Sequence, residues 1–123
     1  MTTSHSKHIL IASDDLELWS LAGLVLTEQG HRVSHAVTGK QAIDLHRRAP
    51  LDLVVVELGL KGFESLTELR KRPFSVKFIT TSHTTRLSVE LCERIGEHLG
   101  AHCFMAKPLS SERLLAAINS ALG

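Results

Sequence analysis

A chain of 123 residues with 43% apolar and 22% charged side chains fits one globular domain, large enough for a core and too small for two. Fourteen basic against thirteen acidic residues leave a net charge of +1, which gives no electrostatic footing for nucleic acid or an anionic membrane. No apolar run approaches the roughly 20 residues that span a bilayer. The opening MTTSHSK has no signal-type hydrophobic segment and is expected to fray over residues 1–7.

From His8 the chain alternates compact apolar runs with amphipathic stretches. HILIA (8–12) reads as a buried strand. Ser13 then offers an N-cap, and Leu18, Leu21, Ala22, Val25 and Leu26 mark the stripe of a helix stopped by Gly30. HRVSHA (31–36) alternates as a strand does. Thr38 to Gln41 is a capping-box pattern opening a second helix through Arg48, which Pro50 ends. A third strand, 52–57, needs an apolar home on both faces until it meets Glu57 with no polar spacer.

After GLKG a short helix is expected over residues 64–71, closed by Pro73, and VKFIT (76–80) is the fourth strand. Leu87, Leu91, Ile95 and Leu99 mark a helix ended by Gly100, and HCFMA (102–106) is the fifth strand. From Ser110 onward Leu114, Leu115, Ile118, Ala121 and Leu122 form the apolar face of a last helix. Cys92 and Cys103 form no CxxC pair and read as reduced thiols of a cytoplasmic protein. The eight histidines contain no HExxH motif and are expected mostly at the surface.

Five strands alternating with five helices predict an α/β domain, a doubly wound parallel sheet covered on both faces with right-handed crossovers. In such a sheet ligands bind beyond the carboxyl ends of the strands. Those ends carry Ser13, Asp14 and Asp15 after the first strand, Glu57 after the third, Thr80 and Thr81 after the fourth, and Lys107-Pro108 after the fifth. Acids, a hydroxyl and a lysine converging on one crevice suit a phosphoryl group and a hard divalent cation. Read singly, Asp14 and Asp15 equally suit the first turn of a helix.

The segments ILIASDD, DLVVVELGLKGFESL, VKFITT and GAHCFMAKPLSSERLLAAI together resemble the receiver domain of two-component response regulators over nearly the whole chain. The resemblance implies a flavodoxin-like five-stranded sheet of order 2-1-3-4-5. It implies a phosphorelay signalling module rather than an enzyme, partnered by a sensor histidine kinase or a downstream signalling protein. It makes Asp14 a metal-binding acid, with Asp15 and Glu57 beside it as further candidate ligands for Mg²⁺. Glu57 stands at the phospho-acceptor position, Thr80 (with Thr81 next to it) at the switch hydroxyl, Phe104 at the switch aromatic and Lys107 at the phosphate-pairing lysine. It also implies a docking or homodimer face on the fourth helix, fifth strand and fifth helix, including Arg94, Glu97, Glu112 and Arg113, which otherwise read as solvated helix positions.

The departures from the family pattern bear on mechanism. Glu57 replaces the usual aspartate, Ser13 an acid, Lys61 a proline and Ser65 a glycine, and the stretch from Thr81 to Gly100 is a few residues longer than is typical. One extra methylene moves the carboxylate by up to about 1.5 Å, and misplacement on the order of 1 Å costs about 100-fold in rate. Losing an acid at position 13 also weakens metal binding. One reading is therefore a pseudo-receiver in which Glu57 pairs directly with Lys107 and mimics the activated state. A second is a working receiver that still binds Mg²⁺ and accepts a phosphoryl group slowly. A third, a nucleotide- or flavin-binding protein, is opposed by the two acids of ASDDLEL where a phosphate loop would lie.

Overall fold

The structure, a computed structural model, describes residues 6–59, 76–83 and 88–123. Five strands, β1 (His8–Ala12), β2 (Arg32–Ala36), β3 (Leu53–Glu57), β4 (Lys77–Ser82) and β5 (Phe104–Ala106), form one sheet in the order β2-β1-β3-β4-β5. Every pairing is parallel. Among the described residues four helices accompany it: α1 (Leu16–Glu28), α2 (Gly39–Arg48), α3 (Val89–Leu99) and α4 (Ser111–Leu122). The expected helix over 64–71 lies outside the described residues, as do Lys61, Ser65, Pro73 and Leu87.

Strand side chains alternate between faces, and both faces of β1 and β3 are covered. On one side Ile9, Ile11, Leu53, Val55 and Ile79 pack with Leu18, Ala22 and Leu26 of α1 and Leu114, Ile118 and Ala121 of α4. On the other, Leu10, Ala12, Val54, Val56 and Phe78 pack with Ala42 of α2, Leu51 and Val76. This double burial is why these strands read as continuous apolar runs. Each fully buried side chain contributes roughly 1.5–3 kcal/mol. Burial also pushes the thiols of Cys92 and Cys103 up, and both are free.

The helix ends follow local chemistry, with three corrections. The N-cap of α1 is Asp15, whose carboxylate accepts from the amides of Glu17 and Leu18, rather than Ser13. Ser13 still follows the strand, its amide donating to the Ala36 carbonyl, so the helix cannot start there. The α1 C-terminus closes on Gly30 at φ +89°, with the Gly30 amide on Thr27 and the His31 amide on Leu26. At α2 Thr38 caps Gln41 as expected, but the Gln41 side chain returns to the Val37 amide, one residue before the position a capping box uses.

The second correction concerns α3. It ends at the left-handed Gly100 as expected and is capped by Ser88, but its sheet-facing residues are Cys92 and Gly96, while Leu91 is exposed. The reason is space. A Cβ at position 96 would stand 3.0 Å from Thr80 Oγ1, so only a small residue lets the helix approach β4. The third concerns the amino terminus. Residues 1–5 lie outside the described residues, but Lys7 is anchored, its amide donating to His31 Nδ1 and its carbonyl accepting from Arg32.

Gly96→Val is expected to lower stability by about 1–3 kcal/mol by overpacking, outweighing the few tenths gained by removing a helical glycine. Urea unfolding measures it, and Thr80→Ala in the same chain should recover part of the loss.

Candidate functional site

Parallel pairing of β1 with β3 sets Ala12 opposite Val56, so the next residues, Ser13 and Glu57, emerge side by side at the carboxyl edge. Ser13 Oγ donates to Glu57 Oε1 at 2.5 Å and accepts from the Asp15 amide at 2.9 Å. Lys107 arrives from the end of β5, just before a cis peptide to Pro108. Its ammonium lies 2.7 Å from Asp15 Oδ2 and 2.8 Å from Glu57 Oε2, with only 3% of the Lys107 side chain exposed. One buried ammonium thus bridges two carboxylates. Its hydrogen bond holds the Asp15 carboxyl below the usual carboxylate range, against the opposing effect of burial and with help from the Leu18 and Glu17 amides.

The remaining candidates divide. Glu57 pairs in register with Thr81, yet Thr81 Oγ1 donates to the Met105 carbonyl at 2.7 Å rather than to the carboxylate. Thr80 pairs in register with Phe104. It is fully buried, and its hydroxyl has no hydrogen-bond partner among the described residues. Phe104 lines a cleft of about 290 Å³ with Gly96, Ala101 and Cys103. Asp14 is exposed, and its carboxylate engages no partner among the described residues. Arg94, Glu97 and Glu112 are exposed helix positions, whereas Arg113 reaches back to the carbonyls of Ala106 and Pro108.

The fold therefore gathers Asp15, Glu57 and Lys107, and brings Thr80 and Phe104 together on neighbouring strands. Sequence reasoning missed the hydroxyl of Ser13 as the group that orients Glu57; a small polar residue following a buried strand was the available signal. A second cleft, of about 310 Å³, opens beside the bridge between Leu18, Leu21, His83, Pro108 and Leu109.

Receiver domains typically bind Mg²⁺ at this acidic edge, so the donor set bears examination. Asp15 spends Oδ1 on the Glu17 and Leu18 amides and Oδ2 on Lys107. Glu57 spends Oε1 on Ser13 and Oε2 on Lys107. Among the described residues no three His, Cys, Asp or Glu side chains are placed to hold a metal ion. Asp15 and Glu57 thus share one ammonium, with a hydroxyl beside Glu57, so a hard dication would have to displace that ammonium to take oxygens from both.

A doubly wound parallel sheet of this order, with acids, hydroxyls and a buried lysine at its carboxyl edge, is a flavodoxin-like fold. The response regulator receiver domain profile matches residues 9–119, and the chain belongs to that family. It is 32% identical over 120 residues to the response regulator GtcR of Aneurinibacillus migulanus, covering 95% of this chain and 48% of that protein. It is 29% identical over 117 residues to the transcriptional regulatory protein AfsQ1 of Streptomyces coelicolor, covering 93% of this chain and 50% of that one. The chain thus spans about half the length of these relatives. The fold matches the chemotaxis response regulator CheY4 of Vibrio cholerae with a TM-score of 0.80 at 21% identity, over 94% of this chain and 98% of that one. It matches NtrX from Brucella abortus with a TM-score of 0.82 at 22% identity, over 95% and 27% of the two chains.

Removing the bridging ammonium with Lys107→Met leaves two partly buried carboxylates facing each other, and should cost about 3 kcal/mol at neutral pH. Because the Asp15 carboxyl titrates below its unfolded value, the contribution is fully present above about pH 4 and lost as pH falls through the lowered folded value. Chemical denaturation of both proteins from neutral to acid pH should show their difference shrinking accordingly.

Proposed function

We propose that this domain is a receiver in which the Glu57 carboxylate occupies the phospho-acceptor position and substitutes for a phosphorylated aspartate. The observation that carries this reading is the direct Glu57–Lys107 contact at 2.8 Å, completed on the other oxygen by Ser13 at 2.5 Å. Glutamate is one methylene longer than aspartate, and serine is shorter than an acid. The two departures complement each other, since the shorter residue admits the longer one and gives it a donor in place of a like charge.

Phosphoryl transfer depends on in-line placement of the nucleophile. With both Glu57 oxygens engaged and its carboxylate displaced along the extra methylene, attack on a phosphoryl donor is disfavoured. The contact instead biases the buried Thr80 and its strand neighbour Phe104 toward one arrangement, a local charge pairing read out by a two-state element. A nucleotide or flavin reading gains no support from the α1 amino terminus, where the Asp15 carboxylate already takes the Glu17 and Leu18 amides.

The domain would act by protein–protein contact, with a sensor kinase, a downstream signalling protein or a second copy at the α3–β5–α4 face. Exposed Arg94, Glu97 and Glu112 are available there. Its near-neutral charge gives these residues no electrostatic basis for DNA contact. Free cysteines, Cys92 buried and Cys103 half-buried, suit a reducing, cytoplasmic setting. Among the described residues no helix is long and apolar enough to cross a membrane.

The test is incubation with Mg²⁺ and acetyl phosphate, followed by intact mass and hydroxylamine sensitivity. The expected result is labelling at least about 100-fold slower than in the Ser13→Asp, Glu57→Asp double variant. Stoichiometric, hydroxylamine-sensitive label on Glu57 of the unaltered protein would establish a working receiver instead.

A further inference from the structure

The amino-terminal edge of the sheet, opposite the Lys107 bridge, is held by imidazoles. His46 is buried on the inner face of α2, and its Nδ1 accepts the Leu51 amide at 3.0 Å. His31, half-buried where β2 begins, accepts the Lys7 amide on Nδ1 at 3.1 Å. An imidazole nitrogen accepts only while it carries no proton, so both rings do this work as neutral tautomers with the hydrogen on Nε2.

His8 is built differently. Its buried ring sets Nδ1 3.1 Å from both the Ala49 and Pro50 carbonyls and Nε2 2.7 Å from Ser34 Oγ. Two carbonyls require a proton on Nδ1, and the serine hydroxyl can either donate or accept, so this ring keeps its bonds in either charge state. The His8 amide also donates to Asp52 Oδ2, and the Asp52 amide to the His8 carbonyl. Three histidines therefore tie the connection between α2 and β3, and the starts of β1 and β2, to one another. Two of the three ties fail on protonation.

We infer that this edge is an acid-released latch, in which protonation of His46 and His31 frees the Leu51 and Lys7 amides and loosens the α2–β3 connection and the start of β1. The surroundings favour neutral rings. Burial, and then the facing His8, lower the affinity of His46 for a proton. The charged residues on its own helix are Lys40, Asp44, Arg47 and Arg48, and Asp44 is paired with Lys40 and Arg47. Burial dominates at His31 as well, with the Asp52 carboxylate opposing it and the Lys7 ammonium adding to it.

Both folded-state values lie below the ordinary histidine value of 6.5. The stabilisation is therefore fully present above that pH and declines as pH falls from there through the folded values. Each imidazole shifts the opening equilibrium by up to about tenfold per pH unit in that window.

Amide hydrogen exchange on the whole chain tests this, at about pH 7.5 and about pH 5.5 with intrinsic rates corrected. Leu51 and Lys7 should lose protection about three- to tenfold per imidazole, while the Leu58 amide, bonded to the Thr81 carbonyl at the far edge, changes little. His46→Asn with His31→Asn puts a non-titrating side-chain oxygen where Nδ1 accepts and should remove the acid-induced loss. Unchanged protection in the unaltered protein, or an equal loss in the asparagine variant, would overturn the proposal. If that variant does not fold, imidazole ¹⁵N shifts of the unaltered protein decide. Protonation of His46 and His31 must coincide with the loss at Leu51 and Lys7, and protonation without loss refutes the latch.

Discussion

The central strands β1 and β3 have no exposed face, and this constraint organises the rest of the molecule. Ile9, Leu10, Ile11 and Ala12 are fully buried, as are Leu53, Val54, Val55 and Val56. Two strands that are apolar on both sides need helices on both sides, which a parallel sheet with right-handed crossovers supplies. Polar groups can emerge only at the two edges of that slab. At one edge stand Ser13, Asp15, Glu57 and Lys107; at the other, His8, His31, His46 and Asp52. The apolar core thus separates two polar clusters.

At the carboxyl edge the governing quantity is charge balance. A single ammonium serves two carboxylates, so the cluster carries an uncompensated negative charge that partial exposure of Asp15 and Glu57 tempers. The Ser13 hydroxyl offsets part of it by donating to the more crowded carboxylate, where an acid would add to the repulsion. Glu57 and Ser13 are best understood as one unit. An acid at position 13 would stand beside the Glu57 carboxylate, and a shorter acid at position 57 would leave a gap beside the serine.

A path from this cluster to the surface runs through neighbouring strands. Glu57 lies in register with Thr81, which bonds the Met105 carbonyl, and the preceding pair is Thr80 with Phe104. Gly96 of α3 lies close against Thr80, whose buried hydroxyl has no hydrogen-bond partner among the described residues. A buried hydroxyl without a partner costs roughly 1–3 kcal/mol. That of Thr80 sits directly beneath the α3–β5 surface.

Strands and caps were legible in the sequence because they are local. The apolar runs fix the five strands to within a residue or two, and Thr38, Gly30 and Gly100 act on amides or carbonyls a few positions away. Candidate site residues were legible as a set, since strand ends in a parallel sheet share one edge. Of their pairings, Glu57 with Lys107 was expected, while those of Asp15 with Lys107 and of Ser13 with Glu57 were not. Asp15 meets Lys107 across 92 positions and Ser13 meets Glu57 across 44, distances over which only the completed sheet brings groups together. The buried stripe of α3 was misjudged because hydrophobicity marks Leu91, while the close approach to β4 demands Gly96. The inward turn of His8 and His46 depends on carbonyls, a hydroxyl and an amide supplied by other segments. Sequence determined which segments are buried and where the chain turns, because those choices are settled by neighbours along the chain. Tertiary structure decided which charge meets which, because an ion pair or a buried imidazole is defined by what the fold delivers to it.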